Sequence, residues 1–170
     1  NTYGTWLHGN RRGWRSRHGR NDCIGDYKNP PPAGMYDHLE EHSRRNMSSE
    51  PVILTPAQRA AACGAMVGKL LSCGVTVIAI SVGAKHYHIL AKFPDTRVRH
   101  WVGLAKKRAS YILSELGLPG KVWAKKCRPL PISDRSHQVN TFEYILKHRQ
   151  EGSCVWTFRD GPPEFESYDQ

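Results

Sequence analysis

Residues 75–93 decide the fold, and they read VTVIAISVGAKHYHILAKF. Val75 to Val82 is a β-branched run that is typical of a buried strand. Residues 83–85 form a turn, and His86 to Phe93 alternates in the manner of a second strand. The stretch therefore predicts a β-hairpin.

Alternation gives the second strand two different faces. One face is apolar and is formed by Tyr87, Ile89, Ala91 and Phe93. His86 and His88 share the other face, with Cα atoms about 7 Å apart. Two imidazoles so placed can converge on one metal ion, although two surface histidines on a half-exposed strand give the same pattern.

Helices and further strands flank the hairpin. A helix begins at Thr55-Pro56-Ala57-Gln58, which combines an N-cap, a first-turn proline and a capping box, and Gly74 ends it. The patterns also predict strands at Thr2–Leu7 and Lys121–Cys127, and helices at about Thr96–Leu116 and about His137–Gln150.

The order of these elements predicts an α+β fold. Strand, helix, strand, strand, helix, strand is the split βαβ pattern of a ferredoxin-like antiparallel sheet with helices on one face. A C-terminal helix that carries Tyr144 would follow. We expect one domain over 1–156, with a long basic loop at 8–50 and an acidic tail at 157–170. No apolar run approaches the ~18–20 residues of a membrane helix.

The charge of the 170-residue chain is uneven. The formal net charge is +10, yet residues 151–170 carry five acidic side chains, Glu151 among them, against Arg159 alone. That segment has a charge of −4, which leaves +14 on residues 1–150. Such a basic body predicts nucleic acid as partner before a membrane, although a merely basic soluble enzyme has the same composition. The five cysteines form no CxxC pair, which favours free thiols in a reducing cytoplasm.

The last helix adds a tyrosine and a third histidine. Tyr144 and His148 are four residues apart and project from one face of that helix. They form a plausible site with His86 and His88 if the helix lies over the sheet; otherwise Tyr144 borders the core and His148 is solvated. Tyr111 is the competing tyrosine, but it has Glu115 rather than a histidine four residues later.

Together these residues resemble a known family. His86-Tyr87-His88 on a central strand, followed by a tyrosine helix, is similar to the HUH endonucleases. More closely, the chain resembles the small single-tyrosine transposases of the insertion-sequence and REP-associated types. The opening TYGTWL at 2–7 and RGW at 12–14 resemble the start of one branch of that group, and Val155-Trp156 resembles its exit from the last helix.

The resemblance implies a chemistry and a set of roles. His86, His88 and His148 would bind Mg²⁺ or Mn²⁺, although histidine ligands alone suit Mn²⁺ or Zn²⁺ at least as well as Mg²⁺. Tyr144 would attack single-stranded or hairpin DNA and form a 5′-phosphotyrosine. The implied protein is bacterial, nucleoid-associated and cytoplasmic, and the resemblance to the REP-associated type favours a monomer over the homodimer typical of small insertion-sequence transposases. Ala84-Lys85 departs from the Pro-Asp or Pro-Asn common in relatives, and Tyr87 replaces an aliphatic residue, which leaves room for a domesticated copy.

Basic residues beside an aromatic ring suit unpaired bases and phosphates. Such clusters can equally be solvated faces or a disordered loop. The candidates for nucleic-acid binding are Arg11, Arg12, Trp14, Arg15, Lys106, Lys107, Arg108, Lys125, Lys126 and Arg128.

Three functions fit these patterns. The leading hypothesis is a metal-dependent transposase that nicks and joins DNA. A replication or mobilisation nickase would use the same site but usually has extra domains. The third is a non-catalytic nucleic-acid-binding module with a ferredoxin-like fold.

Overall fold

A computed structural model describes residues 1–5, 7, 9, 17–18, 21–22, 24–25, 28–125 and 127–161. For residues 17–18 and 21–22 it describes the backbone alone. The chain divides into two compact units. One comprises Thr2–Val52, and the other comprises Asn1 and the residues from Ile53 onward. Each is described in turn.

The unit at Thr2–Val52 differs from the sequence prediction in two segments, the predicted strand Thr2–Leu7 and the predicted loop at 8–50. The predicted strand Thr2–Leu7 is wrong for its described residues, since Thr2 forms only an isolated bridge and the chain then turns. Gly4 adopts a φ of 69°, and the Thr5 hydroxyl donates to the Thr2 carbonyl at 3.0 Å. This local hydrogen bond occupies a backbone carbonyl that would be needed for pairing in a strand.

The predicted loop at 8–50 contains regular structure. Its described elements are the two-residue strands β1 (Arg17–His18) and β2 (Asn21–Asp22), and the helix α1 (Asp37–Arg45). Glu40 pairs with Arg44 at 2.9 Å and Glu41 with Arg45 at 3.0 Å, both at the i, i+4 spacing. No residue of α1 is buried, so apolar periodicity could not reveal it.

The unit from Ile53 onward holds the predicted hairpin. Helix α2 (Pro56–Ser72) starts with the predicted capping box, in which Thr55 and Gln58 bond reciprocally. Strands β3 (Thr76–Val82) and β4 (Tyr87–Lys92) follow and pair antiparallel. Helices α3 (Val98–Glu115) and α4 (Arg135–Lys147) come next, close to their predicted bounds.

The strand that completes the sheet was not predicted as a strand. It is β5 (Cys154–Thr157), which pairs antiparallel with β3, so the strand order is β4-β3-β5. The predicted strand Lys121–Cys127 is wrong for its described residues, where only Trp123 forms a bridge. The Ala124 N–H donates to the Asn1 carbonyl and its own carbonyl accepts from the Lys106 ammonium, so this backbone is already occupied.

Helix α4 covers one face of the sheet. Directly opposite residues of an antiparallel pair share a face. Ala79 pairs with Leu90 and Ser81 with His88, which places these four side chains on one face. Ile145 of α4 packs against Ala79 and Leu90 in the core. The face that carries His88 is therefore the face on which α4 lies.

Helix α2 covers the opposite face. Val82 pairs with Cys154 there, and α2 packs against both of their strands, β3 and β5. Helix α3 packs against α2. The described residues thus form an α+β fold that comprises a three-stranded antiparallel sheet, a two-stranded sheet and four helices, and it is compatible with a split βαβ fold. None of the described helices has the length and apolar character to cross a membrane.

Candidate metal centre

Three histidines meet where the hairpin turn faces the end of α4. His86 lies just before β4, and its carbonyl accepts from the Gly83 N–H at 2.8 Å in the turn. His88 lies on β4, on the α4 side of the sheet. His148 is the C-cap residue of α4. The packing of Ile145 against the sheet brings the end of α4 to the two other histidines.

The three rings are close enough to share one ion. One ligand atom from each histidine lies within 4.8 Å of the others. The ring centroids are 5.1 Å apart for His86 and His88, 5.3 Å for His86 and His148, and 4.8 Å for His88 and His148. Two nitrogens on one ion at bonds of about 2.1 Å lie about 3–4 Å apart. The three histidines would therefore need only small side-chain movements to hold one ion together.

His148 is the most buried member of the cluster, at 5% exposure. Its Nδ1 is 2.8 Å from Oε2 of Glu151. Its Nε2 is buried and has no hydrogen-bond partner in the described part of the chain. An unpartnered buried nitrogen costs free energy unless something binds it, and a metal ion satisfies it. This observation and the donor set fit a metal site.

Burial keeps the other two histidines neutral. It lowers the pKa of His88 to about 4, with further contributions from the neighbouring rings of His86 and His148. Burial likewise lowers the pKa of His86, with His148 the next cause. A neutral imidazole is the form that binds metal, so these rings need not lose a proton at neutral pH.

Tyr144 lies directly beside the histidines. Its ring centroid is 4.8 Å from that of His148 and 5.2 Å from that of His88, both edge-on. The residue is 50% exposed, so the phenol is accessible from solvent. The structure therefore places a half-exposed tyrosine against two of the three candidate metal ligands.

Tyr111, the competing tyrosine, has a different setting. It lies on α3, which packs against α2 on the other side of the sheet. It is 56% exposed, and the Arg108 guanidinium lies over its ring at 5.4 Å. Its ring contact is thus with an arginine rather than with the histidines.

The predicted nucleic-acid contacts are only partly described. Lys106 is half-buried and donates to the Ala124 carbonyl, and burial lowers its pKa. Lys107, Lys125 and Arg128 are exposed. Arg11, Arg12, Trp14, Arg15 and Lys126 lie outside the described residues.

Glu151 is the site residue that sequence reasoning missed. It was counted as one more acidic residue of the C-terminal segment, although it stands three residues after His148. The hydrogen bond from His148 lowers the pKa of Glu151. A carboxylate three residues after a candidate ligand was the signal that could have identified it.

No protein-family model, curated protein or solved structure matches this chain. The transposase resemblance stays a prediction.

Proposed function

We propose that this protein is a metal-dependent enzyme that nicks and joins single-stranded or hairpin DNA, in the manner of the single-tyrosine transposases. One observation carries the proposal, namely that a half-exposed tyrosine lies against two of the three histidines whose donor atoms can share an ion. The α+β sheet with α4 over one face is the arrangement that a ferredoxin-like nicking enzyme would use.

The ion would be held by His86, His88 and His148. Three protein ligands leave a position open for substrate, which is the usual composition of a catalytic rather than a structural site. A divalent ion bound there, Mg²⁺ or Mn²⁺, would supply Lewis-acid stabilisation of phosphate charge. The unpartnered Nε2 of His148 and the lowered pKa of His88 support these residues as ligands.

Tyr144 would be the nucleophile. Its oxygen forms a bond to phosphorus while the bond from phosphorus to the 3′ oxygen breaks. The phenol proton passes to water and the departing 3′ oxygen gains one, which gives a 5′-phosphotyrosine and a free 3′-hydroxyl. Attack by a 3′-hydroxyl on that link reverses the step, so joining needs no nucleotide cofactor.

The basic body would bind the DNA. The net charge of +10, with +14 on residues 1–150, favours a polyanionic substrate. Lys107, Lys125 and Arg128 are exposed and free to approach phosphates at the surface. We propose further that the protein acts as a monomer on the bacterial nucleoid.

A covalent-adduct assay tests the proposal. The protein is incubated with a labelled DNA hairpin that carries single-stranded flanks and with Mn²⁺ or Mg²⁺, and is then resolved on a denaturing gel. We expect a protein–DNA adduct that is lost in Tyr144→Phe and retained in the matched variant Tyr111→Phe. His148→Ala should reduce its formation at least tenfold. Binding without any adduct under either metal would instead indicate a non-catalytic DNA-binding protein.

A further inference from the structure

We infer that Glu151 is a positioning residue that makes His148 a metal ligand, an inference that rests on the proposed metal site. It holds the proton of His148 on Nδ1 and thereby leaves the lone pair of the buried Nε2 available to an ion shared with His86 and His88. This role requires no direct contact of the Glu151 side chain with the ion or with the DNA.

The hydrogen-bonding capacity of imidazole carries the first step. A neutral histidine has one N–H and one lone pair. Nδ1 of His148 is 2.8 Å from the Glu151 carboxylate, which only accepts, so the N–H belongs on Nδ1. Nε2 then bears the lone pair, and it is the buried nitrogen without a partner among the described residues. A histidine that binds a metal through one ring nitrogen usually donates the N–H of its other nitrogen to a carboxylate, a backbone carbonyl or water.

The backbone around Glu151 is fixed rather than loose. Its N–H donates to the His148 carbonyl at 3.1 Å, and the Ser153 N–H donates to the same oxygen at 3.0 Å. Gly152 adopts a φ of 74°, and its carbonyl accepts from the Arg59 guanidinium of α2. The tight turn that ends α4 therefore aims the carboxylate at His148.

A simple surface ion pair is the competing explanation. The Glu151 side chain is 64% exposed whereas that of His148 is 6% exposed. An exposed pair of this kind contributes little to stability. An ion pair needs a protonated His148 with N–H on both nitrogens, so the two explanations differ in whether Nε2 carries a proton and in metal affinity, which stability measurements alone do not report.

The test combines two readouts on the full chain. Long-range ¹H–¹⁵N correlation spectra of the metal-free protein at pH 8 give the tautomer of each histidine, with His148 assigned through His148→Asn. Calorimetric titration with Mn²⁺ alone gives the affinity. We expect the Nδ1–H tautomer in the wild type and a shift toward Nε2–H in Glu151→Ala, with a 10- to 100-fold loss of Mn²⁺ affinity.

Two further variants complete the design. Glu151→Gln keeps an accepting oxygen, so it should keep the Nδ1–H tautomer and lose less affinity than Glu151→Ala. Glu143→Ala removes the same charge from the exposed surface of α4 and should leave both readouts unchanged. An Nε2–H tautomer in the wild type, or unchanged Mn²⁺ affinity in Glu151→Ala, would overturn the inference. Failure to form a DNA adduct would contradict the nicking activity but leave these results intact.

Discussion

At the scale of single residues, the site is defined by the hydrogen bonding of the His148 ring nitrogens and by the exposure of Tyr144. His148 is almost fully buried, with Nδ1 held by Glu151 and Nε2 buried without a hydrogen-bond partner among the described residues. A buried nitrogen without a hydrogen-bond partner costs free energy in a histidine that binds nothing, whereas in a metal ligand the ion would satisfy it. Tyr144 is the opposite case, since it lies beside the same rings and is half exposed.

Replacing a ligand should weaken metal binding without unfolding the protein. His88→Ala should lower the affinity for Mn²⁺ at least tenfold in calorimetric titration, because it removes one of three nitrogens. His100→Ala is the matched control, since His100 is exposed on α3, and its affinity should equal that of the wild type. Equal affinity in His88→Ala would remove His88 from the site.

At the scale of elements, α4 joins the core to the site. Ile145 is 1% exposed and packs against Ala79 and Leu90, and the C-cap residue of the helix, His148, follows three residues later. Asp134 caps its start by accepting from the His137 N–H at 2.8 Å. The position of His148 therefore depends on apolar packing at Ile145.

Truncation of that contact should cost both stability and metal binding. Ile145→Ala should lower the free energy of unfolding by about 2–5 kcal/mol in urea, as for other large-to-small core changes. It should also weaken Mn²⁺ binding, because α4 carries His148. Val139→Ala on the exposed side of α4 should change stability by less than about 0.5 kcal/mol. A stable Ile145→Ala protein would show that α4 is held by other contacts.

The start of α2 offers a test of a local prediction. Thr55→Ala removes the oxygen that accepts from the Gln58 N–H at 3.3 Å and should cost about 1 kcal/mol in urea unfolding. Thr55→Ser keeps that oxygen and should cost much less. Equal losses in the two variants would assign the effect to the methyl group rather than to the cap.

Local signals explain which elements sequence could predict. The capping box at Thr55 and the alternation of β4 are complete within a few residues, and both elements were predicted correctly. Helix α1 has no buried face, and β5 has only four residues, so neither produces a clear apolar period. The predicted strands at Thr2–Leu7 and Lys121–Cys127 fail because other groups occupy their backbone hydrogen bonds, which composition does not reveal.

The site was partly predictable for the same reason. His86, His88, Tyr144 and His148 were identified from strand alternation and helix spacing, and the structure brings their rings together. Glu151 was missed because its role depends on the turn after α4, which no periodicity encodes. The roles of ligand and nucleophile stay predictions.

At the scale of the whole molecule, charge governs the expected partner. The excess of +10 is a property of the chain rather than of any single contact. Among the predicted nucleic-acid contacts, Lys107, Lys125 and Arg128 are exposed in the described part of the chain and contribute to this positive field at the surface.

Salt should therefore control binding to single-stranded DNA. The affinity is measured by fluorescence anisotropy at several salt concentrations. A plot of log affinity against log salt concentration should be a straight line with a slope of about −0.7 per phosphate contact. Replacing Lys107, Lys125 and Arg128 together by alanine should make that slope shallower by about 2. Lys92→Ala, at the far end of β4, should change it little. A slope that does not change in the triple variant would place the DNA elsewhere.

The most direct measurement of the central claim is the position of the covalent link. The protein–DNA adduct formed with Mn²⁺ is digested with trypsin and a nuclease, and the nucleotide-bearing peptide is sequenced by mass spectrometry. We predict a phosphotyrosine at Tyr144, in the peptide of residues 136–147 that follows Arg135. Attachment at Tyr111, in the peptide of residues 109–121, or no adduct at all, would contradict the assignment of Tyr144 and its histidines as the nicking site.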